Sequence, residues 1–550
     1  MLQGDFSTAT LVSDELTIEA SPTPTLANDS IFATRARLFI YTGLSVAILI
    51  RLLLTLSANF PLNDGGMFYV MIRNLQTSHY ALPHFTSYNG MHIPFAYPPL
   101  AFYAAGFVAD ATHGSVFTIL RLLPLLLDIA AIGAFALLAR SILRSCDAAA
   151  VAAVAFSLLP HSVLWQIMGG GLTRGFGLLF ALLAMHQGYE LFARRVLWRA
   201  APTAIFASLT VLSHPKMAWF LAYSLAIFFF WYGRNRKGIL AASAVVVVTA
   251  GLTAPWWATV IAYHGLAPLL ASVRSGSIPW GDLVGYALHF DISGESFFPI
   301  IGVFSILGVI WSIRSRQWFL ISWLAVMIPL DSREYLTDTL VPVSLFVGIG
   351  IIEIVLPWLS RIERSRSPRW KGWTSSLVMT GLLCYAAIGM IAACGSTDVP
   401  LTNQDRSAMA WVSQETPSTS QFLIITGSPW WSSDRSAEWF PALTDRVSVA
   451  TVQGSEWLST KPFTERVTQY NDLQACADQS TACLDRWATR TDTVFNYVYV
   501  SKTTPIGASY GIDGGGVDSP HHFAIEFALK SDPHYTLVFE NSATAIFRRQ

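Results

Sequence analysis

Runs of about 20 mostly apolar residues recur along this chain. As helices rising about 1.5 Å per residue, such runs are long enough to cross the roughly 30 Å hydrocarbon layer of a bilayer. Full-length or slightly shorter runs lie near 38–58, 116–139, 149–168, 173–193, 198–213, 217–233, 239–263, 297–313, 318–331, 336–358 and 374–394, giving about eleven expected transmembrane helices. Only 13% of the residues are charged and the net charge is zero, against about 25% charged in an average soluble protein. The chain therefore reads as an all-α polytopic membrane domain over 36–394. The balanced charge gives no footprint for nucleic acid. Residues 1–30 are rich in Ser, Thr, Pro and acidic side chains and lack the apolar core of a secretory signal. Residues 1–35 are accordingly expected to form a disordered, uncleaved cytoplasmic tail.

Basic residues in the short loops orient the spans. Arg35, Arg37, Arg140, Arg144, Arg194, Arg195, Arg199, Arg234, Arg236, Lys237, Arg314, Arg316, Arg361, Arg364, Arg366, Arg369 and Lys371 fall on one side; the other keeps few, chiefly Arg73, Arg174, Lys216, Arg274 and Arg333. This asymmetry puts the amino terminus in the cytoplasm and residues 395–550 outside. The stretch at 97–110 is too short for a span and reads as an interfacial helix, with a second surface helix at 66–77, so the first external loop, 59–115, is expected to be structured. The external segment 265–296 reads as a partly ordered loop. Residues 200–232 are tight for two full crossings and are expected to break at Ser213-His214-Pro215-Lys216, leaving His214 slightly below the outer surface.

From residue 395 the sequence turns polar, with strand-like runs at 421–428, 494–501 and 535–541 and helix-like stretches at 403–413 and 521–530. That alternation predicts a small α/β extracytoplasmic domain. Cys476 and Cys483 lie in it, where an oxidising compartment would permit a disulfide, although spacing alone leaves the pairing open.

Asp64, in Pro-Leu-Asn-Asp-Gly-Gly, follows the outer end of the first span. It has two readings, a helix cap or a general base at the membrane edge, where an acceptor from water can meet a donor from lipid. Arg121, His214, Lys216 and Arg333 are expected at outer ends of spans, either anchoring headgroups or binding a leaving phosphate. Asp128, two helical turns after Arg121, is costly in lipid unless paired, and is expected to neutralise a buried cation such as Arg51. Trp430-Trp431 with Asp434 superficially resembles the Trp-Trp-Asp acceptor-binding motif of oligosaccharyltransferases, but two serines displace the Asp and that role is discounted, while the aromatic stretches at 438–443 and 454–458 read more readily as core than as sugar-binding surfaces.

The order Asp64, Pro98-Pro99-Leu100 and Arg121 resembles the GT-C superfamily of polyprenyl-phosphate-sugar-dependent glycosyltransferases, in particular the protein O-mannosyltransferase and aminoarabinose transferase family. The resemblance covers about 36–394. It implies an inverting glycosyltransferase of hexosyl or mannosyl type that takes a polyprenyl-phosphate-linked sugar to a hydroxyl-bearing acceptor, whether glycan, lipid or protein. It implies Asp64 as catalytic residue and Arg121, His214, Lys216, Arg333, Tyr335 and Arg174 as donor-phosphate or substrate-binding residues. The family often has two adjacent acids where this chain has Asn63-Asp64, and a second-loop acid is replaced here by Gly169-Gly170-Gly171-Leu172-Thr173-Arg174-Gly175. No metal ligand or cofactor is assigned, and a divalent metal is left open. The rival readings are a transporter or lipid flippase with an accessory external domain, and an oligosaccharide transferase using a diphosphate-linked donor. Transporters favour internal repeats and buried midplane charges; here no repeat is evident and the polar residues gather at the outer boundary.

Overall fold

The computed structural model describes residues 25–274, 293–330, 335–364, 373–397, 399–458, 463–502 and 523–550. Helices α1 (Thr25–Ser57), α2 (Gly66–Thr77), α3 (Leu100–Thr112), α4 (Val116–Ile142), α5 (Cys146–Leu158), α6 (Gly171–Phe192), α7 (Ala200–Val211) and α8 (Pro215–Phe228) come first. They are followed by α9 (Arg236–His264), α10 (Ala267–Arg274), α11 (Ile300–Arg314), α12 (Trp318–Leu330), α13 (Tyr335–Gly350), α14 (Leu356–Arg364) and α15 (Trp373–Thr397). Each of the eleven expected spans falls on a helix. By length and composition, five helical stretches suffice to cross a membrane: Arg37–Ser57, Val116–Ile142, Arg236–His264, Thr337–Glu363 and Thr374–Gly395. The chain is a multi-pass membrane protein with this helical fold.

Three local expectations need correction. Helix α1 already begins at Thr25, inside the segment read as a disordered tail. The span expected at 149–168 is helical only from Cys146 to Leu158, because Pro160 lacks the N–H that would continue it and starts a separate short turn. The 265–296 segment opens with α10, and its residues 275–292 lie outside the described residues. The surface helix expected at 66–77 is α2, and the interfacial stretch contains α3. The break after Ser213 is present: Pro215 occupies the first turn of α8 and the His214 ring accepts from Met217 N at 3.3 Å.

Arg51 and Asp128 are both buried and joined through Nε and Oδ2 at 2.5 Å. The Arg51 guanidinium also donates to Ala47 O, Ser157 O and Ser162 Oγ, tying α1 to α4 and to the end of α5.

Beyond α15, the carboxy-terminal domain contains α16 (Asn403–Glu415), β3 (Gln421–Ile425), α17 (Arg435–Thr444), β4 (Val447–Ser448), α18 (Phe463–Gln474) and α19 (Thr481–Thr491). It closes with β5 (Tyr497–Ser501), α20 (Ala524–Ser531), β6 (Tyr535–Glu540) and β7 (Thr544–Arg549). The sheet order is β4-β3-β5-β7-β6, parallel from β4 to β5 and antiparallel thereafter. β4 and β7 were not expected from the sequence. Strand residues alternate between two cores. Phe422, Ile424, Tyr497, Tyr499 and Ile546 face a core shared with α2, α3 and the start of α4, while Leu423, Ile425, Val498, Val500 and Phe547 pack toward α18 and α19. The first face fastens the domain to the 59–115 loop, whose own short hairpin pairs β1 (Phe85–Thr86) with β2 (Ile93–Pro94). Cys476 and Cys483 are disulfide-bonded, with Cα atoms 5.7 Å apart.

Candidate active site

Asp64 lies where α1, α6 and the carboxy-terminal domain converge. Its backbone neighbours are fixed from several directions: Asn63 N donates to Val399 O at 3.0 Å, and Gly169 N donates to Leu62 O at 3.1 Å. The carboxylate takes the Gly170 N–H on Oδ1 at 2.8 Å. Gly170 immediately precedes α6, so the positive end of that helix faces the carboxylate. The approach is too close for a larger residue, since a Cβ on Gly170 would lie 2.3 Å from Asp64 Oδ2. Gly65 adopts φ 118°, a conformation that favours glycine, and a Cβ there would meet Gly169 Cα at 2.9 Å. These contacts explain why glycines stand at 169 and 170. The helix-cap reading changes accordingly: α2 has Gly65 at its N-cap position with no side-chain cap, and Asp64 turns toward α6 instead.

Burial raises the Asp64 carboxyl above its ordinary range, while the Gly170 N–H and the Arg174 guanidinium pull in the opposite direction. Arg174, one turn into α6, donates from Nη1 to Trp165 O at 2.8 Å and lies 5.8 Å from the centre of the Trp165 ring. His214 is buried against α6, where a Cβ on Gly177 would come 2.8 Å from the His214 Cβ. Its ring lies 6.3 Å from that of Tyr97, whose hydroxyl is 3.1 Å from Thr173 Oγ1. Lys216 is half-buried in the first turn of α8. Arg174, His214 and Lys216 thus stand at the Asp64 end of the helices.

Arg121 lies at the same end but donates from Nη1 to Ala58 O at 2.7 Å, gripping the chain just beyond α1. Arg333 lies outside the described residues. Tyr335 begins α13. Among the described residues, no group of three or more His, Cys, Asp and Glu is arranged to hold a metal ion.

The carboxy-terminal domain contributes contacts to the Asp64 loop that the sequence did not assign. Glu438, in the first turn of α17, is 6% exposed and accepts from Gly65 N through Oε1 at 2.9 Å. Burial and the negative charge of Asp64 push its carboxyl up to about 8. Trp439 Nε1 donates to Asn63 O at 2.9 Å. Trp457 packs 5.3 Å from Tyr97, measured between ring centres. Trp439 and Trp457 are core, as the aromatic stretches were read. Asp434 is structural as well: it caps α17 through Ala437 N and accepts from Thr426 Oγ1 and Tyr470 Oη, both at 2.6 Å.

The overall fold is shared with solved structures. The archaeal oligosaccharyltransferase AglB from Archaeoglobus fulgidus, in complex with an inhibitory peptide and a dolichol-phosphate, matches with TM-score 0.50 and 17% identity over 84% of this chain and 69% of its own. ArnT from Cupriavidus metallidurans bound to undecaprenyl phosphate matches with TM-score 0.52 and 13% identity over 93% of this chain and 97% of its own. The arabinofuranosyltransferase AftD from Mycobacteria matches with TM-score 0.53 and 15% identity over 93% of this chain and 40% of its own. The fold is that of the GT-C glycosyltransferases. No protein-family model and no curated protein matches the sequence. At these identities, the likeness concerns the fold.

Proposed function

We propose that this protein is an integral-membrane, inverting glycosyltransferase that moves a sugar from a polyprenyl-phosphate carrier to a hydroxyl acceptor on the extracytoplasmic face. The observation that carries the reading is the placement of Asp64 at the helix ends, its carboxylate oriented by the Gly170 N–H and flanked by Arg174. Such a group is suited to general-base work if an acceptor hydroxyl reaches it. Asp64 takes the hydroxyl proton, the acceptor oxygen forms the new bond to the anomeric carbon, and the bond from that carbon to the phosphate oxygen breaks. The electron pair leaves with the lipid phosphate. Arg174, His214 and Lys216 supply the positive charge and hydrogen-bond donors that stabilise that leaving group. Arg121 belongs to the same end, with its hydrogen bond holding Ala58, and Arg333 and Tyr335 complete the donor-binding set. The carrier assignment is supported by the dolichol-phosphate and undecaprenyl phosphate named with AglB and ArnT. A hexosyl or mannosyl donor, a glycan, lipid or protein acceptor, a cytoplasmic amino terminus and an extracytoplasmic sheet domain complete the reading.

The test uses the purified full chain, polyprenyl-phosphate sugars of differing sugar identity, and hydroxyl acceptors, with release of polyprenyl phosphate as the readout. Asp64→Asn keeps the acceptor for the Gly170 N–H but removes the base, so turnover should fall by about 10² to 10⁴. A folded Asp64→Asn protein with wild-type turnover would end the assignment.

A further inference from the structure

Both residues flanking Asp64 are held by consecutive residues of the external domain. Gly65 N donates to Glu438 Oε1, and Asn63 O accepts from Trp439 Nε1. Gly66 also packs so tightly that a Cβ there would lie 2.7 Å from Glu438 O, the same oxygen that accepts from Tyr88 Oη at 2.7 Å. On its other side, the Asp64 carboxylate is held by Gly170 N. Asp64 therefore sits between a helix N-terminus in the membrane domain and a backbone segment whose position is set from outside that domain.

We propose that Glu438 is a positioning residue for Asp64, binding the Gly65 N–H so that the base is held in place against the N-terminus of α6. This rests on reading Asp64 as the base. The charged and titratable groups around Glu438 make its protonation matter. Asp64 lies on the adjoining loop, Glu456 on the 455–457 turn, Asp434 and Arg435 at the start of α17, and Tyr88 on the first external loop, while Arg174 stands on α6 beside Asp64. Acidic groups predominate in this set. Ionised Glu438 would therefore face Asp64 across a desolvated site and repel an anionic donor phosphate. With its carboxyl near 8, Glu438 is mostly neutral at pH 7. Glutamine can accept the same N–H without ionising; alanine cannot.

The experiment compares wild type, Glu438→Gln, Glu438→Ala and Asp64→Asn as full chains in lipid nanodiscs. Hydrogen exchange over residues 63–70, which needs no substrate, should leave the glutamine variant as protected as wild type and deprotect the alanine variant. Displacing Asp64 should lower alanine-variant turnover by about 10²-fold. With a polyprenyl-phosphate sugar as probe, wild-type kcat/KM should decline above about pH 8 through a rise in KM, whereas Glu438→Gln should keep its donor affinity into that range. Unchanged protection and turnover in Glu438→Ala, or the same alkaline decline in Glu438→Gln as in wild type, would overturn the proposal. Full turnover in Asp64→Asn would instead overturn the base reading, and the exchange comparison would still report whether Glu438 holds the loop.

Discussion

The buried Arg51–Asp128 pair offers a quantitative test of the fold. Arg51 is 0% exposed and Asp128 2% exposed, and the guanidinium is also bonded to two carbonyls and a hydroxyl. Replacing Asp128 by Leu leaves a buried cation without its counter-charge, which costs about 3 to 5 kcal/mol. Asparagine can still accept from Arg51 Nε, and a hydrogen bond to a charged group is worth about 1.5 to 3 kcal/mol, so Asp128→Asn should retain part of that stability. Removing both charges in Arg51→Met/Asp128→Leu should recover most of it, because buried pairs replaced by apolar side chains are often neutral or stabilising by about 1 to 4 kcal/mol. The assay is equilibrium unfolding in detergent, followed by alkylation of buried Cys394 after exposed Cys146 and Cys384 are changed to Ser. The expected order of stability is wild type and double variant above Asp128→Asn, with Asp128→Leu lowest. A double variant as unstable as Asp128→Leu would refute the reasoning, since the loss would then come from packing rather than from an uncompensated charge.

Topology can be read with one introduced and one native thiol: Ser87→Cys, at an exposed site in the first external loop, should react with an impermeant reagent from outside intact cells, and exposed Cys146 should not. Labelling of Cys146 from outside would invert the orientation. The Cys476–Cys483 disulfide has a sequence separation of 7 residues, so the chain-entropy estimate for its removal is about 2 kcal/mol. Cys476→Ser/Cys483→Ser should lower the unfolding midpoint of the external domain, as followed by proteolysis during a denaturant series, and equal midpoints would show that the bridge adds no stability.

Features governed by local chemistry were legible in the sequence. Spans announce themselves because lipid excludes unpaired backbone and charge, and the same rule correctly coupled Asp128 to Arg51, 77 positions away. Pro215 marked the α7–α8 break because its ring suits a first helical turn. Helix α2 was visible because its apolar residues share a face, with Phe68, Met71, Ile72 and Leu75 buried. Glu438 was not legible, since it meets Gly65 across 373 positions and looks locally like any acidic residue in a first helical turn. Gly169 and Gly170 appeared as the loss of an acid; only the folded chain shows that the missing side chains make room for Asp64. Strand β7 escaped because it ends in two arginines, one of which, Arg549, pairs with Asp485.

Asp64 also offers a test of what its carboxylate contributes to the fold. A carboxyl pulled below its ordinary range strengthens the fold when it ionises, whereas one raised by burial weakens it, as at the buried cap Asp434. At Asp64, burial outweighs the Gly170 N–H and Arg174, and the carboxyl is raised. The sign then follows from linkage: the folded state holds the proton more tightly than the unfolded chain, so stability falls as pH rises from the ordinary aspartate pKa through the raised one. Above that window, the protein bears the full cost of an ionised, desolvated carboxylate. Asparagine keeps the acceptor for Gly170 N without that charge, so Asp64→Asn should be at least as stable as wild type at pH 8, with its relative advantage shrinking as pH falls through the window. Thermal unfolding of both proteins across this range measures the difference, and a variant less stable than wild type at pH 8 would show that the ionised carboxylate strengthens the fold. Retained stability with lost transfer is what a group kept for chemistry rather than for folding predicts.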